Sequence, residues 1–170
     1  MSSIKVHEKP LNKALVDILD ELKGMKDKKG EPFKSRAYLK AQQSIINCNK
    51  DIYSIDDIKN LPNIGKSIIE KLEEFINTGK IDSHEKEKND PVTIALDAFS
   101  KIYGVGPKKA MDLIDKKIFT IEQLSLPENT ALLNDKQKIG LKNQEQEQEQ
   151  DQYQKNKHKK RKEGLKKVKK

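Results

Sequence analysis

The chain has 170 residues, enough for one or two small domains, and at 34% hydrophobic and 36% charged, without tryptophan, it has too little apolar content for a large sheet and suits small all-α layers. Its net charge of +8 is unevenly held: residues 155–170 carry ten Lys/Arg against one Glu, whereas residues 1–142 carry 25 basic against 22 acidic side chains. Charge alone therefore argues for a nucleic-acid partner only at the tail, and for the body the case must come from motifs.

Leu11, Leu15, Ile18, Leu19 and Leu22 recur at helical spacing and predict an amphipathic helix over 11–23. GMKDKKGEP, 24–32, reads as a loop, and a second helix is expected from about Phe33, with Ala37, Ala41 and Ile45 on one face. Ser54 with Asp57 fits a helix-start cap for a short helix at about 55–60. The turn LPNIG, 61–65, leads into a helix at about 66–77, which Gly79 is expected to close in the left-handed conformation. DSHEKEKNDP, 82–91, is polar and is read as a linker between a domain over 1–82 and another over 83–142.

In the second domain Val92, Ala95, Leu96, Phe99 and Ile102 predict a helix, Tyr103–Pro107 a turn with Pro107 at the first helical position, and Met111, Leu113 and Ile114 the next helix. Thr120 with Gln123 suggests another cap, and 131–142 a last helix. From 143 the low-complexity NQEQEQEQDQYQ and the cationic KNKHKKRKEGLKKVKK are expected to be disordered, or at most a lone polar helix. Three roles are open for the basic tail: a nuclear import signal, a sequence-blind DNA tether, or a reading-frame artefact.

Cys48 is the lone cysteine, which excludes an intrachain disulfide and points to an intracellular setting. No apolar run approaches the roughly 20 residues that span a bilayer, and MSSIKVHEKP lacks the apolar stretch of a secretory signal, so no membrane partner is expected. His7, His84 and His158 are too far apart for ligand spacing, and no zinc site is expected.

The turn-into-helix device occurs twice, as Leu61-Pro62-Asn63-Ile64-Gly65 and as Ile102-Tyr103-Gly104-Val105-Gly106. A glycine at the corner lets a ligand approach the backbone, and the unpaired N–H groups at the helix start, with the helix dipole, favour an anion such as a DNA phosphate. This pattern is a helix-hairpin-helix, which holds nucleic-acid backbone without reading sequence. Gly65, Lys66, Ser67, Gly104, Gly106, Lys108 and Lys109 are the candidate DNA contacts at the two corners. Lys71 lies beside the apolar stripe of Ile68, Leu72, Phe75 and Ile76, away from Glu70, Glu73 and Glu74, so it is a half-desolvated amine.

FKSRAYLKA, LPNIGKSIIEKLEEFINTGKI, IYGVGPKKAMDLIDKKIFTIEQL and NDKQKIGLK, in uninterrupted order over about 11–142, resemble the amino-terminal part of X-family DNA polymerases, nearest the polymerase beta type. The resemblance implies a 5′-deoxyribose-phosphate lyase domain followed by a DNA-binding fingers (or thumb) subdomain. It assigns the Schiff-base role to Lys71 and a 5′-phosphate pocket to Lys34, Tyr38 and Lys59. Other pocket positions depart from the family: Phe33 replaces a histidine, and Ser67 and Ser83 replace cations, with Lys66 adjacent to the first. It further implies no cofactor for the lyase step, but a Na+ or K+ ion at each hairpin, held by the main-chain carbonyls of Lys59, Leu61 and Ile64 and of Ser100, Ile102 and Val105.

No Asp-x-Asp occurs in the 170 residues, so nucleotide addition, which needs clustered carboxylates for two metal ions, is not expected of them. Two readings remain. One is a monomeric repair lyase, nuclear if the source is eukaryotic, acting on gapped, nicked or abasic DNA alongside other base-excision repair proteins. The other is a non-catalytic DNA-binding protein, or a fragment of a truncated polymerase, that occupies gaps or tethers partners.

Overall fold

A computed structural model describes residues 6–168; the first five residues and the last two lysines of the expected basic tail lie outside the described residues. Among the described residues there are nine α-helices and no strand, so the fold is all-α. The helices are α1 (Asn12–Lys28), α2 (Pro32–Ile46), α3 (Lys66–Thr78), α4 (Asp82–Lys88), α5 (Pro91–Ser100), α6 (Pro107–Asp115), α7 (Ile121–Leu124), α8 (Pro127–Thr130) and α9 (Asp135–Val168), with a short 3-10 helix at Ile55–Asp57 before α3. No helix is long and apolar enough to cross a membrane among those described.

The chain divides into two compact units, Met1–Leu96 and Asp97–Lys170, with the division inside α5. In the first unit α1 and α2 form a helical hairpin, and Leu15, Leu19 and Leu22 of α1 meet Ala41 and Ile45 of α2 in a core completed by Ile52, Ile58, Leu72, Ile76 and Ile81. Each fully buried aliphatic chain contributes about 1.5–3 kcal/mol, and together they fix how α3 lies on the hairpin. In the second unit Phe99, Ile102, Leu113 and Leu124 are fully buried, joined by Ile114, Ile118, Ile121, Leu133 and Leu141.

Several caps form as their residues suggest. The Asp57 carboxylate accepts the Ser54 N–H at 3.1 Å, and the Thr120 hydroxyl accepts the Gln123 N–H at 3.1 Å. Gly79 closes α3 at φ +81°, and Pro107 occupies the first turn of α6. The first helix, by contrast, does not stop at residue 23. It runs through Gly24 to Lys28, because Lys23 pairs with Asp27 at 2.9 Å one turn on and Lys26 is tied to Glu87.

Residues 82–88 are likewise not a linker. They form α4, docked on the first unit by fully buried Ile81, by His84 at 2% exposure, and by ion pairs from Glu87 to Lys26 and Lys29 and from Lys88 to Glu21. The compact first unit runs on to Leu96.

The Glu/Gln-rich and Lys-rich segments form the polar helix that sequence left as the alternative to disorder. They continue α9 to Val168, and from Gln146 to Leu165 every side chain is exposed. Glu, Gln and Lys, which make up most of this stretch, are good helix formers.

The start of α9 passes very close to the second turn. A Cβ added at Gly140 would lie 2.7 Å from the Tyr103 carbonyl oxygen and 2.8 Å from the Tyr103 nitrogen. Backbone cannot give way as a side-chain tip can, so Gly140→Ala is expected to destabilise the protein by about 1–3 kcal/mol. Urea unfolding would show this as a lower midpoint; an unchanged midpoint would mean that the close packing is not maintained in solution.

Candidate nucleic-acid interface and lysine cleft

The two glycine turns are conformational copies. Gly65 sits at φ −83°, ψ 175° before α3, and Gly106 at φ −90°, ψ 177° before α6. Two residues earlier Asn63 and Gly104 both have positive φ, +61° and +83°, a region that asparagine tolerates better than most side chains. Ile64 and Val105, between these positions, are both buried and pin the turn to its core.

Neither corner glycine has a left-handed φ, and a Cβ at either would meet no protein atom within 4 Å. Internal packing therefore does not require glycine at these corners, whereas close approach of an outside backbone does. Neither helix start has a side-chain cap, so the first N–H groups are left for a ligand, with one donor fewer in α6 because of Pro107.

A buried polar side chain braces each turn from a neighbouring helix. The Ser44 hydroxyl of α2 donates to the Pro62 carbonyl at 2.6 Å, and the Gln137 amide of α9 donates to the Gly104 carbonyl at 2.9 Å. Gln137 is itself oriented by reciprocal bonds with Asn134, at 3.0 and 2.9 Å, which form the cap of α9. In the first turn the carbonyls of Lys59, Leu61 and Ile64 accept no backbone N–H among the described residues; in the second the Ile102 carbonyl accepts the Val105 N–H at 3.1 Å.

A cleft of about 700 Å³ opens beside the first turn. It brings together Lys34 and Tyr38 of α2 with Gly65, Lys66, Ser67 and Lys71, as the sequence proposed. Lys71 is half-buried and has neither an acidic nor a hydrogen-bonding partner among the described residues. Tyr38 is buried, and its hydroxyl is pushed above the usual range by burial and then by the charge of Glu87, so it remains a donor at neutral pH. The Lys34 ammonium is held above its ordinary value by its hydrogen bond to Glu31, 2.8 Å away, and stays charged.

Other sequence candidates lie elsewhere. Lys59 does not line this cleft and instead pairs with Asp56 at 2.6 Å. Lys109 donates to the Leu132 carbonyl at 2.6 Å, which holds it to its own unit, while Lys108 is exposed and has no partner among the described residues.

Three titratable cleft residues were not singled out as site residues: Lys26 of α1, and His84 and Glu87 of α4. The linker reading of 82–91 hid the last two. Of the bracing residues, Gln137 had a legible signal in the Asn134-x-x-Gln137 cap, and Ser44 had none. On α2, the 83%-exposed Phe33 lies with Arg36, Lys40 and Asn63 around a shallow recess of about 320 Å³.

Two braced glycine corners with unpaired helix starts define a double helix-hairpin-helix protein shaped to hold nucleic-acid backbone. Residues 10–81 match the family of helix-hairpin-helix domains, and residues 97–146 match the fingers domain of DNA polymerase lambda. The chain is 33% identical over 141 residues to DNA polymerase lambda of Arabidopsis thaliana, an alignment covering 82% of this chain and 26% of the relative. It is 31% identical over 137 residues to the DNA polymerase type-X family protein pol4 of Schizosaccharomyces pombe, covering 81% and 27% respectively. To DNA polymerase IV of Saccharomyces cerevisiae it is 30% identical over 122 residues, covering 69% and 20%. The chain thus carries the DNA-binding helix-hairpin-helix and fingers regions of X-family DNA polymerases, and it spans about a quarter or less of the length of these curated relatives.

The cleft wall has a pH dependence of known sign. Burial raises the Glu87 carboxyl, but hydrogen bonds from Lys29 at 2.5 Å and Lys26 at 2.9 Å outweigh it and hold the group below its ordinary 4.5. A carboxyl depressed in the folded state contributes stability that is full above 4.5 and is lost as pH falls through the folded value. Glu87→Gln is expected to melt below the wild type at pH 7, with the difference shrinking as pH is lowered toward about 3. Thermal melts across that range check this; a constant difference would contradict it.

Proposed function

We propose that the chain binds DNA at a gap or nick and removes a 5′-deoxyribose phosphate through Lys71. The observation that carries this reading is one cleft holding an unpartnered lysine, Lys71, next to the uncapped start of α3 and two further phosphate-competent groups, Lys34 and Tyr38. The strand's 5′-phosphate would lie on the N–H groups of Lys66 and Ser67 and on Lys34. The second hairpin, with Lys108, would hold duplex backbone in a sequence-independent way. Exposed Phe33, which shares its recess with Arg36 and Lys40, offers an unpaired base a face to stack on, with cations near it for its phosphates.

In the lyase step the Lys71 amine adds to the C1′ aldehyde and water leaves, giving an imine. The imine accepts the electron pair released when a C2′ proton is removed by solvent. The C3′–O bond then breaks, and the downstream strand departs with its phosphate. Hydrolysis of the sugar imine returns the lysine. A Na+ or K+ ion on the hairpin carbonyls would neutralise charge at the bound phosphates, and the basic end of α9 would add salt-dependent, sequence-blind affinity. We place the activity in base-excision repair, in the nucleus if the source is eukaryotic.

One observation favours a non-catalytic gap binder instead: the cleft presents Ser67 and Ser83 at positions where the resembling family carries cations. Borohydride trapping on a pre-incised abasic duplex separates the two. A covalent adduct that Lys71→Ala reduces to near background is expected. Tight gap binding without any adduct in the wild type would select the non-catalytic reading, and undiminished trapping in the variant would exclude Lys71 as the nucleophile.

A further inference from the structure

The ion cluster on the cleft wall is unused by the chemistry above. Lys26 of α1 has a side chain only 13% exposed, yet it lines the cleft with Lys34, Lys66 and Lys71. Its ammonium lies 2.9 Å from the Glu87 carboxylate of α4 and 3.9 Å from that of Glu31. An ammonium has three donors, and among the described residues only Glu87 is within hydrogen-bonding reach, so two remain. Lys29 binds the same Glu87 oxygen at 2.5 Å but does not line the cleft.

Glu87 therefore holds two lysines, one facing the cleft and one turned away from it. Because Lys29 already balances its charge, Glu87 can fix Lys26 in place without cancelling it. The Lys26 chain is also largely immobilised before any ligand arrives, which reduces the ordering cost of binding.

We propose that Lys26 is a specificity-determining residue of the cleft, contacting a terminal 5′-phosphate, and that Glu87 of α4 positions it for that contact. This rests on the reading of the cleft as the site for a DNA 5′ end. It makes α4, a segment polar enough to pass for a linker, one wall of that site. It also locates a cation for the phosphate on α1, in the same cleft as the serines at 67 and 83.

The test compares single-nucleotide-gap duplexes bearing either a 5′-phosphate or a 5′-hydroxyl, bound by the full chain and by Lys26→Ala and Lys29→Ala. The wild type should prefer the phosphorylated end. Lys26→Ala should lose about tenfold of affinity for it, the scale of one charge-assisted hydrogen bond, while its affinity for the hydroxyl end stays within about twofold. Lys29→Ala, which leaves Glu87 to offset Lys26 alone, should weaken the preference by less than Lys26→Ala does; an equal loss there would reduce Lys26 to a structural role and overturn the inference. An unchanged preference in Lys26→Ala would overturn it while leaving gap binding intact. Failure of the wild type to bind either duplex would overturn the DNA reading and this inference with it.

Discussion

Everything in this fold that bears on DNA depends on an unmet requirement at two helix starts. A helix leaves its first N–H groups without intrahelical partners, and most helices meet that need with a serine, threonine, aspartate or asparagine. Here α3 and α6 begin at glycines with nothing to offer, in open space, and at almost the same backbone angles. The donors stay available, and the absent side chain leaves the approach clear. The hydrophobic core and the two bracing side chains, Ser44 and Gln137, keep both corners in that state.

The first corner has been elaborated and the second has not. Around Gly65 the helical hairpin of α1 and α2, together with α4, encloses a cleft whose cations come from α1, α2 and α3. Around Gly106 the neighbouring groups are used for packing: Lys109 is bound to a carbonyl, Pro107 removes a donor, and Gly140 lets α9 lie against the turn. One device thus serves both as the rim of a chemically equipped pocket and as a plain grip on backbone. The same division follows the two family matches, to a helix-hairpin-helix domain and to a fingers domain.

Much of this was legible in the sequence because the signals were local. Period-3.6 apolar spacing gave most of the major helices, Gly79 and Pro107 marked ends, and the repeated glycine turn gave both corners and, through Lys71, the cleft. What escaped was non-local. The anchoring of α4 depends on a histidine that is buried because Glu21 lies opposite it, 63 residues away in sequence. The extension of α1 past Gly24 depends on Lys26 meeting Glu87, 61 residues on. Lys109 was eligible by position, but its ammonium is engaged by the Leu132 carbonyl 23 residues on, whereas the partner of Lys59, Asp56, stands three residues before it and was legible by spacing. Composition left both disorder and a lone helix open for 143–170; the high helix propensity of Glu, Gln and Lys favours the helix.

The most direct measurement is the affinity of the full chain for a gapped duplex after threonine replaces both Gly65 and Gly106. Threonine is itself a good helix cap, and each corner has room for its Cβ, so the thermal midpoint should hold or rise. If phosphates bind the open helix starts, the added side chains will occupy both the donors and the space, and affinity will fall by at least about tenfold. A doubly substituted chain that is folded and binds the gap as tightly as the wild type would contradict the account at its base.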